Sequence, residues 1–166
     1  MNRIYLSIGS NIEREFNLRS SVRHLNEQFG PLTLSSVYRT RAIGFEGEDF
    51  YNMAVGLDSN LPVEQVQGTT KEIENTHGRQ PGLGRFISRP LDIDLLLYGD
   101  MIRHTGSIDV PRREILHHAF VLQPLCEIAP TLRHPETRLS IEEMWRSFDA
   151  SGQPSRRIEF QFDLER

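Results

Sequence analysis

Short apolar stretches, broken by clusters of Gly, Pro and polar residues, organise the chain into alternating strands and helices. Residues 3–11, "RIYLSIGSN", read as a strand that ends in a Gly-Ser-Asn turn. Phe16, Val22, Leu25 and Phe29 then recur at helical spacing, and Gly30-Pro31 ends that helix. Residues 32–40 predict a second strand, 41–49 a Gly-rich charged loop, and 50–58 a third strand. Val63, Val66, Ile73 and His77 predict a second helix, with Ser59 or Asn60 as its cap, Pro62 in its first turn and Gly78 at its exit. Residues 78–89 read as a mobile Gly- and Pro-containing loop. Residues 90–99 predict a fourth strand, with 101–104 as its hairpin partner across Gly99-Asp100. Residues 117–129 suggest a short helix, 140–148 a helix capped by Ser140, and 156–163 a final alternating strand. The order β-α-β-β-α-β points to a mainly antiparallel sheet with helices packed on it.

Composition narrows the class. The 166 residues suit a single domain, 37% of them are hydrophobic and 25% charged, and no repeat or low-complexity tract is present. The net charge of −4 disfavours general nucleic-acid binding. Cys126 is the one cysteine, so no internal disulfide forms, and no apolar run is long enough for a membrane helix. These features predict a cytoplasmic protein with no membrane partner.

The chemistry concentrates in residues 84–99, "GRFISRPLDIDLLLYG". On a strand, Asp92 and Asp94 share one face with Cα atoms roughly 7 Å apart, while Leu91, Ile93 and Leu95 turn to a core. Leu96 and Tyr98 are expected to continue the acidic face. Two half-buried carboxylates repel each other unless cations or a metal offset them. Hard oxygen ligands suit magnesium, and Arg79, Arg85 and Arg89 beside them suit phosphate oxygens. Together these are the parts of phosphoryl-type transfer. The same residues also fit a structural salt-bridge cluster of Asp92 and Asp94 with Arg85 and Arg89. No G-x-x-x-x-G-K-[ST] loop is present, and the adjacent His117 and His118 make a poor chelate.

Several stretches in order resemble the 6-hydroxymethyl-7,8-dihydropterin pyrophosphokinase family. They are "YLSIGSN", "SSVYRTRAIG", "DFYNMAV", "IENTHGR", "SRPLDIDLLLYG" and "VPRREILHHAFVLQPLCEIAP", which span about residues 4–130. The resemblance implies an α+β fold with a ferredoxin-like core and three α-β-α layers, as one pyrophosphokinase domain over residues 1–166. It implies an ATP- and Mg-dependent enzyme of folate biosynthesis, monomeric, that moves pyrophosphate from ATP onto the pterin and releases AMP. Two Mg2+ ions are implied at Asp92 and Asp94, with Arg79 and Arg89 as catalytic arginines. Glu74, Arg85, Leu95, Arg112, Arg113 and His118 are implied on the ATP side, and Thr40, Ile43, Phe50, Asn52 and Phe120 in the pterin pocket. A flat pterin stacks on aromatic rings, and its polar edge needs an amide partner.

The chain departs from the family pattern at a few places. Ile87 stands where a small residue is usual, His118 where arginine is frequent, Arg112 where histidine is common, and Arg41 where proline is usual. A paralogue that takes a modified pterin, or binds without turnover, is the alternative reading. A different metal-dependent phosphotransferase or nuclease is a third, its nuclease version disfavoured by the absence of a basic face and of further acid clusters.

Overall fold

In a computed structural model, described over residues 1–41, 47–78 and 90–164, the chain alternates strands and helices from its start. Strand β1 (Asn2–Ser10) leads to helix α1 (Arg14–Phe29), and Gly30 takes φ 82° at its end, a region that favours glycine. Strands β2 (Thr33–Leu34), β3 (Val37–Thr40) and β4 (Phe50–Ser59) follow, then helix α2 (Val63–Thr76) and strand β5 (Asp92–Tyr98). A small hairpin, β6 (Arg103–Thr105) and β7 (Ile108–Val110), precedes helices α3 (Glu114–His117), α4 (Ala119–Ile128) and α5 (Ile141–Ser147), and β8 (Ser155–Ile158) closes the order.

The strands order as β5-β1-β4-β3-β8, every pairing antiparallel, with β2 also beside β4. Strands β1, β3, β4 and β5, taken in chain order, thus lie 4-1-3-2, a ferredoxin-like order, as the family resemblance implies. Helices α1 and α2 cover one face: Leu18, Val22, Leu25, Val66 and Ile73 pack against Ile4, Leu6, Ile8, Met53, Val55 and Ile93. Helices α4 and α5 cover part of the other, where Val121, Leu122, Leu125, Ile141 and Met144 meet Tyr5, Leu96 and Leu97. Each such buried aliphatic contributes about 1.5–3 kcal/mol, so both layers are held by apolar burial.

Several expected elements change. The single strand over 32–40 is split, because Ser35 substitutes its side chain into the ladder: Ser35 N donates to Ala54 O (3.0 Å) and Ala54 N donates to Ser35 Oγ (2.8 Å). Residues 101–104 do not pair with β5. Arg103–Thr105 pairs with Ile108–Val110 instead, and β5 pairs with β1. Ser59 does not cap α2. Its hydroxyl accepts from Leu61 N, and Pro62 takes the N-cap position with no side-chain bond. The helix expected over 117–129 breaks at His118, whose extended backbone makes it the N-cap of α4. The last strand stops at Ile158, which pairs with Val37, the first residue of β3; Phe160 and Phe162 go on to pack against the first core. Ser140 caps α5 as expected, in a reciprocal capping box with Glu143.

Candidate functional site

Alternation along the strands separates two chemistries. Asp92 and Asp94 face away from α1 and α2, while Leu91, Ile93 and Leu95 are buried in the core beneath those helices. The register between β1 and β5 shifts between Tyr5 and Leu6, which leaves Leu96 as an extra residue. Leu96 therefore stays on the acidic side, but Tyr98 does not continue it: the bulge returns its ring to the first core. There its hydroxyl donates to Leu61 O.

Cross-strand register builds the site. Tyr38 lies opposite Asn52, Asn52 opposite Gly9, and Gly9 opposite Asp92, so one row runs across β3, β4, β1 and β5. One residue pair further on, Ala54, Ser7 and Asp94 form the next row on the same face. With strands about 4.8 Å apart, Asn52 and Asp92 stand roughly 10 Å from each other across a glycine. A Cβ at Gly9 would come within 2.9 Å of Asn52 Oδ1, so the glycine is what lets the amide lie over β1. Asn52 Nδ2 donates to Thr40 Oγ1 (2.7 Å), which fixes the amide and turns Oδ1 towards Gly9. The Phe50 ring edge also borders Gly9. At the start of α4, His118 and Phe120 stack, with ring centroids 4.9 Å apart and planes 25° from parallel.

Electrostatics mark the acid pair. Burial, followed by the neighbouring charge of Asp92, pushes the Asp94 carboxyl up to about 7. Arg112 and Lys71 pull the other way. Asp94 nonetheless keeps 24% of its side chain accessible, and that opening is the side from which a cation can approach. Arg112 Nη2 lies 3.4 Å from Asp94 Oδ1, and Arg112 Nε 3.1 Å from Glu114 Oε2. Two carboxylates that repel on an open face are a donor set that fits a hard divalent cation. Among the described residues no cluster of three or more His, Cys, Asp or Glu forms a ligand set, so further ligands would come from water or phosphate.

Other expected site residues fall elsewhere. The Leu95 side chain is buried in the first core, on the face opposite Asp94, and does not reach the acidic row. The Glu74 side chain is 0% exposed and sits behind the site: Oε2 accepts from Ile93 N (3.3 Å) and Oε1 pairs with Lys71 Nζ (2.9 Å). It satisfies the outer edge of β5 rather than meeting solvent. Arg113 is exposed at the start of α3. Burial lowers the His118 pKa, so this position holds no charge at neutral pH where an arginine would. Ile43, Arg79, Arg85 and Arg89, with the loop expected over 78–89, lie outside the described residues save Gly78. Sequence reasoning missed Gly9, Ser7 and the ion pair of Arg112 with Asp94. A glycine inside a strand pattern was the available signal for the first. It also missed a cleft of about 390 Å3 behind the sheet, between α1 and α2, where His77 Nε2 meets Ser20 Oγ at 2.8 Å.

Comparison with known proteins agrees with this geometry. The family model described as 7,8-dihydro-6-hydroxymethylpterin-pyrophosphokinase (HPPK) matches residues 5–130. A 2-amino-4-hydroxy-6-hydroxymethyldihydropteridine pyrophosphokinase of Porphyromonas gingivalis is 35% identical over 139 residues, which cover 80% of this chain and 94% of that protein. The Bacillus subtilis protein of the same name is 33% identical over 148 residues, 86% of this chain and 88% of its own. The folic acid synthesis protein FOL1 of Dictyostelium discoideum is 31% identical over 145 residues; that match covers 86% of this chain but only 22% of the longer protein. A crystal structure of an HPPK-DHPS protein in complex with substrates superposes with a TM-score of 0.68 at 14% identity, over 91% of this chain and 44% of that one. At that identity the superposition speaks for the fold alone. Because the family model matches residues 5–130, which carry the acid pair, α4 and most of the β5-β1-β4-β3 sheet, the chain belongs to the 7,8-dihydro-6-hydroxymethylpterin-pyrophosphokinase family.

Proposed function

We propose that this chain transfers the pyrophosphoryl group of ATP to 6-hydroxymethyl-7,8-dihydropterin, with release of AMP. The observation that carries this reading is the row Tyr38-Asn52-Gly9-Asp92, which sets a side-chain amide bordered by the Phe50 ring about two strand spacings from the paired carboxylates. In this reading Asn52 Oδ1 accepts from the polar edge of the pterin, while one of its two Nδ2 hydrogens is held by Thr40 Oγ1. Phe50 and Phe120 supply ring faces, and Ile43 adds a backbone contact. The pterin hydroxyl oxygen bonds to the β-phosphorus, the bond from that phosphorus to the AMP oxygen breaks, and the hydroxyl proton is lost.

Asp92 and Asp94 would hold Mg2+, which would supply charge neutralisation for the transferred phosphates. Arg79 and Arg89 bind the transferred phosphates, Arg85 and Arg113 the remainder of the nucleotide, and the neutral His118 contacts it by stacking or as a single donor. Glu74, implied on the ATP side, holds β5 through Ile93 N. The reading takes residues 1–166 as one catalytic domain, acting as a cytoplasmic monomer on two small molecules, with no nucleic acid. No helix of the described residues is long and apolar enough to cross a membrane.

The test is turnover. The protein is mixed with ATP, MgCl2 and 6-hydroxymethyl-7,8-dihydropterin, and AMP is followed by chromatography. AMP that requires both pterin and Mg2+ is the expected result. ATP or pterin binding without AMP would move the reading to a binding-only paralogue.

A further inference from the structure

Arg112 is a partner of the acid pair that no motif announces. Its backbone N donates to Leu96 O at the bulge of β5 (2.9 Å), which anchors the residue beside the strand that carries Asp94. From that anchor the guanidinium reaches two carboxylates at once, Asp94 through Nη2 and Glu114 through Nε. Both contacts are ion pairs by distance, and neither has hydrogen-bond geometry. Among the described residues, the groups that act on Asp94 are Asp92, Arg112, Lys71 and Glu74, and of these Arg112 is the cation paired with it.

We propose that Arg112 is a resident counter-ion of Asp94, which a divalent cation must displace, and that Glu114 retains the guanidinium when it lets go. The inference rests on the reading of Asp94 as a metal ligand. A carboxylate oxygen paired with a guanidinium has less charge to offer a metal, so the free protein binds the metal weakly. Glu114 lowers the cost of release, because Arg112 keeps one ion pair throughout. The freed Nη2 is then directed to the open side of Asp94, where phosphate oxygens would arrive with the metal. Metal loading and nucleotide binding thereby become coupled through one side chain.

The experiment measures Mn2+ binding to the nucleotide-free protein at about pH 8, by titration calorimetry and by the paramagnetic signal of free Mn2+, for the wild type and four variants. Arg112→Gln should bind Mn2+ about five-fold more tightly, the scale of a partly exposed ion pair. Glu114→Gln should bind it about two- to three-fold more weakly, since Arg112 then has Asp94 alone. A general field effect of the two charges would also give these signs, so the double variant decides. If Glu114 acts through Arg112, adding Glu114→Gln to Arg112→Gln changes nothing. An equal loss in both backgrounds, or an Arg112→Gln no tighter than wild type, overturns the proposal. Asp94→Asn separates this from the underlying reading: if it binds Mn2+ as wild type does, Asp94 is not a metal ligand at all. Circular dichroism of each variant checks that the fold is retained.

Discussion

The two faces of the same strands have opposite fates. On the face under α1 and α2, β1 presents Ile4, Leu6 and Ile8, β4 presents Met53, Val55 and Leu57, and β5 presents Ile93 and Leu95, all buried. On the other face the intervening positions are Ser7, Gly9, Asn52, Asp92 and Asp94, and apolar packing resumes only where α4 and α5 cover Tyr5, Leu96 and Leu97. The first face is the source of stability, and the second, at one end, puts up with an electrostatic cost. A strand with period two lets the same seven residues do both, because neither set of side chains can reach the other.

Exchanging chemistry between the faces should separate activity from stability. Asp94→Asn should lower turnover by about 1,000-fold or more, measured as pterin-dependent AMP release, while the protein stays folded. Its mirror on the other face is Leu6→Ala. That cavity should cost about 2–5 kcal/mol in urea unfolding, with the turnover of the remaining folded protein little changed. If Leu6→Ala instead struck turnover as hard as Asp94→Asn, the two faces would not be independent.

Gly9→Ala tests the boundary between them. The added methyl pushes Asn52 Oδ1 aside, and we expect about a ten-fold rise in KM for the pterin with a much smaller change for ATP. The pH dependence of the metal-free protein sharpens the electrostatic side. The Asp94 carboxyl ionises near 3.8 when unfolded and at about 7 when folded, so the folded state binds the extra proton between those values. Stability from this group is full below 3.8 and is lost as pH rises through about 7. Asp94→Asn should remove that slope in melting temperature. The smallest expected effect is remote from both faces: Ser140→Ala breaks the capping box of α5 and should cost about 1 kcal/mol without altering either substrate's KM.

Much of this protein was legible along the chain because local rules were enough. Asp92 and Asp94 share a face because strand geometry has period two, and Ser140 caps α5 because its hydroxyl and Glu143 are three residues apart. Gly78 ends α2 with φ 85°, as its place after the helical run suggests. The order of strands and helices was enough to indicate an antiparallel sheet with helices against it. What failed depended on partners far away in sequence. The strand expected over 32–40 breaks because Ser35 meets Ala54 across the sheet, and 103–105 pair forward with 108–110 rather than back with β5. Tyr98 changes face through a bulge against Tyr5 and Leu6, which no period along β5 alone contains. Glu74 is implied on the ATP side by resemblance alone, and only the docking of α2 on β5 buries it. The row that joins Asn52 to Asp92 and the pairing of Arg112 with Asp94 are likewise products of register and packing. Side-chain type and spacing are local properties of the chain; which side chains meet is set by long-range contacts, and those exist only once the sheet has closed.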